Sequence, residues 1–277
     1  MSQVVSQAAR SYRVSPGPTI VSLRGVAKQF SNGTLAVQNL NLDIRAREFV
    51  SLLGPSGCGK STALRMIAGL GDPSAGEIAW PGSEAKEHSA DIGFVFQEPT
   101  LMPWATVFDN VWLPLRLRGQ SRSEARPKIE AMLSRVGLLS FANAYPRELS
   151  GGMKMRVSIA RALVTQPKLL LMDEPFAALD EITRFRLNDD LLDLWSSLDC
   201  TVIFVTHSVF ESVYLSNRIV VMAARPGRIV EEVNVEAPYP RGEEFRTSNE
   251  YVGWCRLASD ALIAAMAAND WRMKDKS

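Results

Sequence analysis

Residues 54–62, Gly-Pro-Ser-Gly-Cys-Gly-Lys-Ser-Thr, constrain the fold of this chain more than any other stretch. They follow a short apolar run, Phe49 to Leu53, and precede a helix-like run, Ala63 to Ala68, that closes at Gly69. Strand, then Gly-x-x-x-x-Gly-Lys-Ser, then helix is the setting in which such a loop cradles phosphate. The glycines let the backbone curl until consecutive N–H groups point inward at phosphate oxygens. Lys60 is then expected to reach the β- and γ-phosphates, and the Ser61 hydroxyl to bind Mg²⁺. Residues 54–62 as a whole, Gly54, Pro55, Ser56, Gly57, Cys58, Gly59, Lys60, Ser61 and Thr62, are the expected ATP-binding loop.

The remaining pattern predicts an α/β protein. Residues 20–44 are strand-like, with Val21, Leu23 and Val26, then Leu40, Leu42 and Ile44, separated by a turn at Ser31-Asn32-Gly33. A strand at 92–96 leads to Gln97. From about 101 to 164 the chain turns helical, and Ile129, Met132, Leu133 and Val136 mark one buried face that stops at Gly137. Strand 169–172, helix 184–195 and strands 202–205 and 219–222 follow. The alternation predicts a largely parallel sheet with a helical insertion near its middle. Residues 1–17 read as a flexible leader ending at Pro16-Gly17-Pro18, and 18–240 as the main domain, with the helical part at about 98–164. Residues 241–277 read as a C-terminal helical extension in which Tyr251, Trp254, Cys255, Ala258, Leu262 and Met266 trace one face.

Composition closes several doors. With 31 Lys and Arg against 30 Asp and Glu, the net charge of +1 gives no ground for nucleic acid as a partner. Three scattered cysteines argue for a reducing compartment and against a disulfide framework. His88 and His207 are the only histidines, so a histidine-rich metal centre is not expected. The polar N-terminus and strand-sized apolar runs predict a cytoplasmic protein without its own membrane span.

Two further stretches carry chemistry. Leu169-Leu170-Leu171-Met172 is the pattern of a strand buried on both faces, so Asp173 and Glu174 emerge at its carboxyl edge beside the phosphate loop. Asp173 is placed to hold a metal through water, and Glu174 to orient or deprotonate an attacking water. Leu149-Ser150-Gly151-Gly152-Met153 opens a helix, and its free N–H groups and helix dipole make a second anion nest. One chain thus holds two phosphate-binding halves.

Phosphate loop, Leu-Ser-Gly-Gly, Asp-Glu strand end, Ala178-Leu179-Asp180 and His207 occur in that order, and residues 20–235 resemble the nucleotide-binding subunit of an ATP-binding-cassette (ABC) transporter. The resemblance implies an ABC ATPase core with a mostly parallel sheet, an N-terminal antiparallel β part and an inserted α-helical subdomain. It implies that Gln97 touches Mg²⁺ and couples to the membrane partner, and that His207 meets the γ-phosphate. Ala178, Leu179 and Asp180 would form the loop at the dimer interface. Phe30 falls where the family stacks an aromatic ring on adenine, with Val37 backing it; the competing reading is a core Phe beside a hairpin turn. Leu149–Met153 would act in trans, with Ser150 and Gly152 on the γ-phosphate of the partner's loop.

Met153, the run from Glu174 to Asp180, Trp195 and the Thr206-His207-Ser208 segment resemble the ATPases of nitrate/sulfonate/taurine-type importers. That implies a homodimer, two transmembrane permease subunits, an extracytoplasmic solute-binding protein and a peripheral place on the cytoplasmic side of the inner membrane. Thiamine-precursor pyrimidines remain an open substrate class, and a soluble non-transport cassette ATPase or a P-loop kinase are the other readings. Trp104, in the apolar stretch 97–113, either docks a permease helix or plugs the local core. Cys58, at a helix N-terminus, is either a thiol of lowered pKa whose modification blocks ATP or a small residue tolerated in a tight loop.

Overall fold

The computed structural model describes residue 13, residues 17–81 and residues 91–274, with side chains as far as residue 267. The expected leader lies almost wholly outside the described residues, and so does His88.

The chain opens with β1 (Thr19–Gln29) and β2 (Leu35–Arg45), an antiparallel pair around the anticipated turn. Buried apolar positions in β1 run Val21, Leu23, Val26, a step of three that breaks the period of two. A register shift between Leu23 and Val26, with Gly25 at φ 58, absorbs the extra residue and keeps Val26 on the core face. Next come β3 (Phe49–Leu53), α1 (Lys60–Ile67) and β4 (Ala75–Ala79), which adds to the free side of β1. Strand β4 carries no alternation, because it is a short edge strand with mostly exposed side chains.

The main sheet is built from β3, β5 (Ile92–Val95), β6 (Leu169–Asp173), β7 (Thr201–Thr206), β8 (Arg218–Ala223) and β9 (Arg228–Asn234). Their order is β5-β6-β7-β3-β8-β9, parallel except for the antiparallel β9. Strands β3 and β6 are buried on both faces, with alternate residues feeding different cores. Phe49, Leu53, Leu170 and Met172 join the core beneath the helical part, and Val50, Leu52, Leu169 and Leu171 join the one under β1 and β2. Burial from both sides explains uninterrupted apolar runs in place of alternation.

The insertion holds α2 (Val107–Leu117), α3 (Arg122–Arg135) and α4 (Gly151–Leu163). The Ile129, Met132, Leu133 and Val136 face is buried, and Gly137 ends it at φ 69. Helices α5 (Glu181–Ser196), α6 (Val209–Leu215), α7 (Glu243–Arg246) and α8 (Asn249–Lys274) complete the chain. Helix α8 packs on α6, β8 and β9. Its buried stripe is Tyr251, Cys255, Ala258, Ala261 and Ala265. Met266, expected on that face, is exposed: the alanines lie one position earlier, and their small side chains allow the close approach. Among the described residues no helix is long and apolar enough to cross a membrane.

Candidate active site

Loop 54–62 leaves the end of β3 and enters α1, whose first residue is Lys60. The helix therefore starts three residues before the apolar run that announced it, because glycines and a lysine carry no periodic signal. Gly59 caps α1 at φ 90; a Cβ there would lie 2.8 Å from the Ala36 carbonyl oxygen. At Gly54 a Cβ would meet the Met222 carbonyl oxygen at 2.7 Å. Both glycines are required by the closeness of β2 and β8 to the loop.

The Lys60 side chain is only 3% exposed. Its Nζ donates to the carbonyls of Gly54 at 2.7 Å and Pro55 at 3.1 Å, and lies 3.6 Å from Glu174 Oε1. The other Glu174 oxygen is 3.2 Å from His207 Nδ1. Glu174 sits in the left-handed region at φ 45, while its backbone N–H donates to Val205 O at 3.1 Å and fixes the turn to β7. Lys60 at the start of α1 and Glu174 and His207 in the loops after β6 and β7 thus converge at the carboxyl edge of β3, β6 and β7.

Ser61 Oγ donates to Asp173 Oδ1 at 2.6 Å. Burial pushes the Asp173 carboxyl up, against the Ser61 hydrogen bond and the nearby Arg65 and Lys60 charges that pull it down. This oxygen pair suits a hard cation that completes its shell with phosphate and water. Among the described residues no group of three or more His, Cys, Asp or Glu is placed to hold a metal ion. Gln97 lies exposed just beyond β5, whose Val95 pairs with Met172. Among the described residues no hydrogen bond joins it to Ser61 or Asp173.

Phe30 is 46% exposed at the β1–β2 turn, where its N–H donates to Thr34 O at 2.9 Å. The core reading fails there, and a ring face remains free for stacking. Val37 is fully buried, with Cγ1 packed towards Gly59 and Gly227, so it braces the loop from beneath.

Cys58 fits the second of its two readings, a small residue in a tight loop. It is completely buried, and desolvation pushes its thiol up more strongly than Lys60 pulls it down. The helix N-terminus does not rescue the thiolate once water is excluded. A maleimide is therefore expected to leave Cys58 unmodified in the native protein and to label it after denaturation; prompt native labelling read by peptide mass would contradict this burial.

Ser150 is the N-cap of α4, its Oγ accepting the Met153 N–H at 3.3 Å. Leu149 is buried and Met153 packs partly against the core, while Ser150 and Gly151 are exposed. A Cβ on Gly152 would fall 2.8 Å from Thr183 Cγ2, and one on Gly151 3.3 Å from Leu179 Cδ2. The glycines thus accept the loop Ala178, Leu179 and Asp180 and the start of α5 against the signature. Asp180 caps α5 by accepting the Thr183 N–H at 2.9 Å, and hydrogen bonds from Thr183 hold its carboxyl below the usual range. Ser208 caps α6 in the same way.

Several contributors escaped sequence reasoning. Arg161 of α4 donates to the carbonyls of Pro99 and Thr100, each at 2.9 Å, and so ties the signature helix to the segment after Gln97. Arg184 and Glu211 lie behind the Asp180 and His207 loops. A lone charge on an amphipathic helix reads as surface, so nothing in the sequence marked Arg161 or Arg184. Trp104 is 77% exposed, which removes the core-plug reading.

Comparison with known proteins adds an independent line. Residues 37–177 match the family model described as ABC transporter. The aliphatic sulfonates import ATP-binding protein SsuB of Bacillus cereus is 45% identical over 83% of this chain and 92% of its own length. The nitrate import ATP-binding protein NrtD of Synechocystis sp. is 48% identical over 78% of this chain and 80% of its own. The bacterial ABC transporter cassette MJ0796, solved as a dimer, superposes with a TM-score of 0.69 at 35% identity, covering 79% of this chain and all of that one.

Proposed function

Because the chain belongs to the ABC transporter family and is an ATP-binding ATPase of that family, we propose that it drives an importer for a small solute of the nitrate, sulfonate or taurine kind. The observation that carries the catalytic part is the convergence of Lys60, Glu174 and His207 at one sheet edge, beside the Ser61–Asp173 pair. Loop 54–62 holds the phosphates, with Phe30 against the adenine. Ser61, Gln97 and, through water, Asp173 would hold Mg²⁺, which would supply charge neutralisation at the phosphates. Glu174 orients and deprotonates the attacking water, and His207 holds the γ-phosphate and the acid in one geometry. Gln97 is exposed just past β5, whose Val95 pairs with Met172, so it stands at the same sheet edge as Asp173.

Two copies are needed. Leu149, Ser150, Gly151, Gly152 and Met153 complete the site of a second subunit, with Ala178, Leu179 and Asp180 between the two. Support comes from the exposed Ser150 cap, from Gly151 lying against Leu179 beside it, and from the dimeric MJ0796 relative. The domain reading is a cassette at 18–240, with its helical part at about 98–164, and a C-terminal helical extension from 241. The extension is a packing element, since α8 lies on β8 and α6.

In the importer the ATPase pair sits on the cytoplasmic side of the membrane, bound to two permease subunits that a solute-binding protein serves from outside. Trp104, exposed between Leu101 on the core and α2, is the anchor for the permease. The test is to purify the tagged full chain from its native membranes. A permease should come with it, and Trp104→Ala should lose the permease by about tenfold or more while melting temperature and ATPase of the free chain stay unchanged. Recovery of the wild-type chain only as a free protein would overturn the importer reading.

A further inference from the structure

The Asp180 loop follows β6 and the His207 loop follows β7, yet a chain of polar contacts ties them within one subunit. Arg184, in the first turn of α5, donates from Nη2 to the Leu179 carbonyl at 3.0 Å. Its Nε lies 3.6 Å from Glu211 Oε1. The other Glu211 oxygen accepts from the Thr206 hydroxyl at 2.5 Å, and that hydroxyl accepts the Ser208 backbone N–H at 3.0 Å. His207 sits between these two anchored residues and reaches Glu174.

The Arg184–Glu211 link differs from the rest of the chain. Arg184 Nε and Glu211 Oε1 are both buried without a hydrogen bond, so they meet as charges that have not closed to bonding distance. A pair built only for stability is expected to close, since an unmet buried donor and acceptor each cost free energy. Burial pushes the Glu211 carboxyl up, against the pull of Thr206, Arg184 and His207. A small shift of either loop would close or open this contact.

We propose that Arg184 and Glu211 are positioning residues for ATP hydrolysis, which hold His207 against Glu174 in register with the Asp180 loop, so that movement of one loop moves the other. The proposal rests on the reading that Glu174 and His207 act in hydrolysis. A subunit that senses its twin through the Asp180 loop then adjusts its own His207 through side chains it already carries.

The test is a double-mutant cycle on the full-length chain, with kcat, KM for ATP and melting temperature measured for Arg184→Gln, Glu211→Gln and the pair. Each single change should lower kcat about tenfold with KM near the wild-type value, and the double variant should be no slower than the singles. Multiplying losses, or unchanged kcat with only a lower melting temperature, would overturn the proposal. Should the buried variants not fold, Thr206 decides. Thr206→Val removes the hydroxyl at nearly constant shape and should show the same kcat loss, whereas Thr206→Ser should not. Equal turnover of both overturns it. Glu174→Gln serves as the control. If that variant still hydrolyses ATP, the catalytic reading falls. If it is inactive while the Arg184, Glu211 and Thr206 variants turn over normally, only the positioning role falls.

Discussion

Glu174→Gln is expected to bind ATP as tightly as the wild type, to accumulate as an ATP-bound dimer and to lose hydrolysis by about 10²–10⁴-fold. The substitution preserves shape and hydrogen bonding but removes the carboxylate that takes a proton from water. Its side chain spans Lys60 on one oxygen and His207 on the other, so the amide keeps both loops near their places. The backbone is equally undisturbed, since the turn at φ 45 is held by the Val205 carbonyl and asks nothing of the side chain. Binding and turnover are therefore separable at this residue. Equilibrium nucleotide binding, size-exclusion chromatography with ATP and phosphate release measure the three parts. A variant that stays monomeric and hydrolyses ATP at the normal rate would remove Glu174 from the mechanism.

Ser150→Ala, placed in the Glu174→Gln background, is expected to prevent the ATP-dependent dimer while leaving ATP affinity of the monomer unchanged. Alone it should lower turnover by about 10²–10³-fold, the cost of removing one donor aimed at transition-state charge. The hydroxyl has a second duty as the N-cap of α4, worth about 1 kcal/mol of stability. Circular dichroism and a melting curve separate the two effects, because cap loss moves the midpoint by a few degrees and does not by itself break a dimer. A normal dimer in the double variant would show that this nest does not act in trans. Gly152 makes a related point by geometry: any side chain there is driven into Thr183, so the packing of α4 on α5 restricts it to glycine in addition to any contact with phosphate.

Much of the site was legible because phosphate chemistry is local. A loop that points N–H groups at an anion needs glycines at fixed spacing, and the helix behind it follows at once. The acidic pair at the end of β6 was legible for another reason, that a strand buried on both faces is an unbroken apolar run. Nothing in the sequence chose between the two readings of Cys58. A helix N-terminus predicts a lowered thiol pKa only if the sulfur meets water, and exposure is a property of the whole fold. The bracing place of Val37 was not legible either, since it stands in β2, well before the loop in sequence and beneath it in space. The contacts of Arg161, Arg184 and Glu211 were not legible because each acts on a backbone or side chain in a different loop, where no periodicity records the partner.

By itself the sequence determined which groups this protein has to offer a nucleotide: the phosphate loop, the acids after β6, His207 and the signature nest. Their order along the chain was enough to place it in a family, because each motif obeys a short-range geometric rule. Only the tertiary structure decided how those groups meet. It set Glu174 between Lys60 and His207, buried Cys58 and Val37, left Trp104 in the open, and joined the Asp180 loop to the His207 loop through Arg184 and Glu211. These outcomes depend on the parallel register of β3, β6 and β7 and on the packing of α5 against α6. Burial and long-range contact are decided by the packed whole, and no local spacing encodes them.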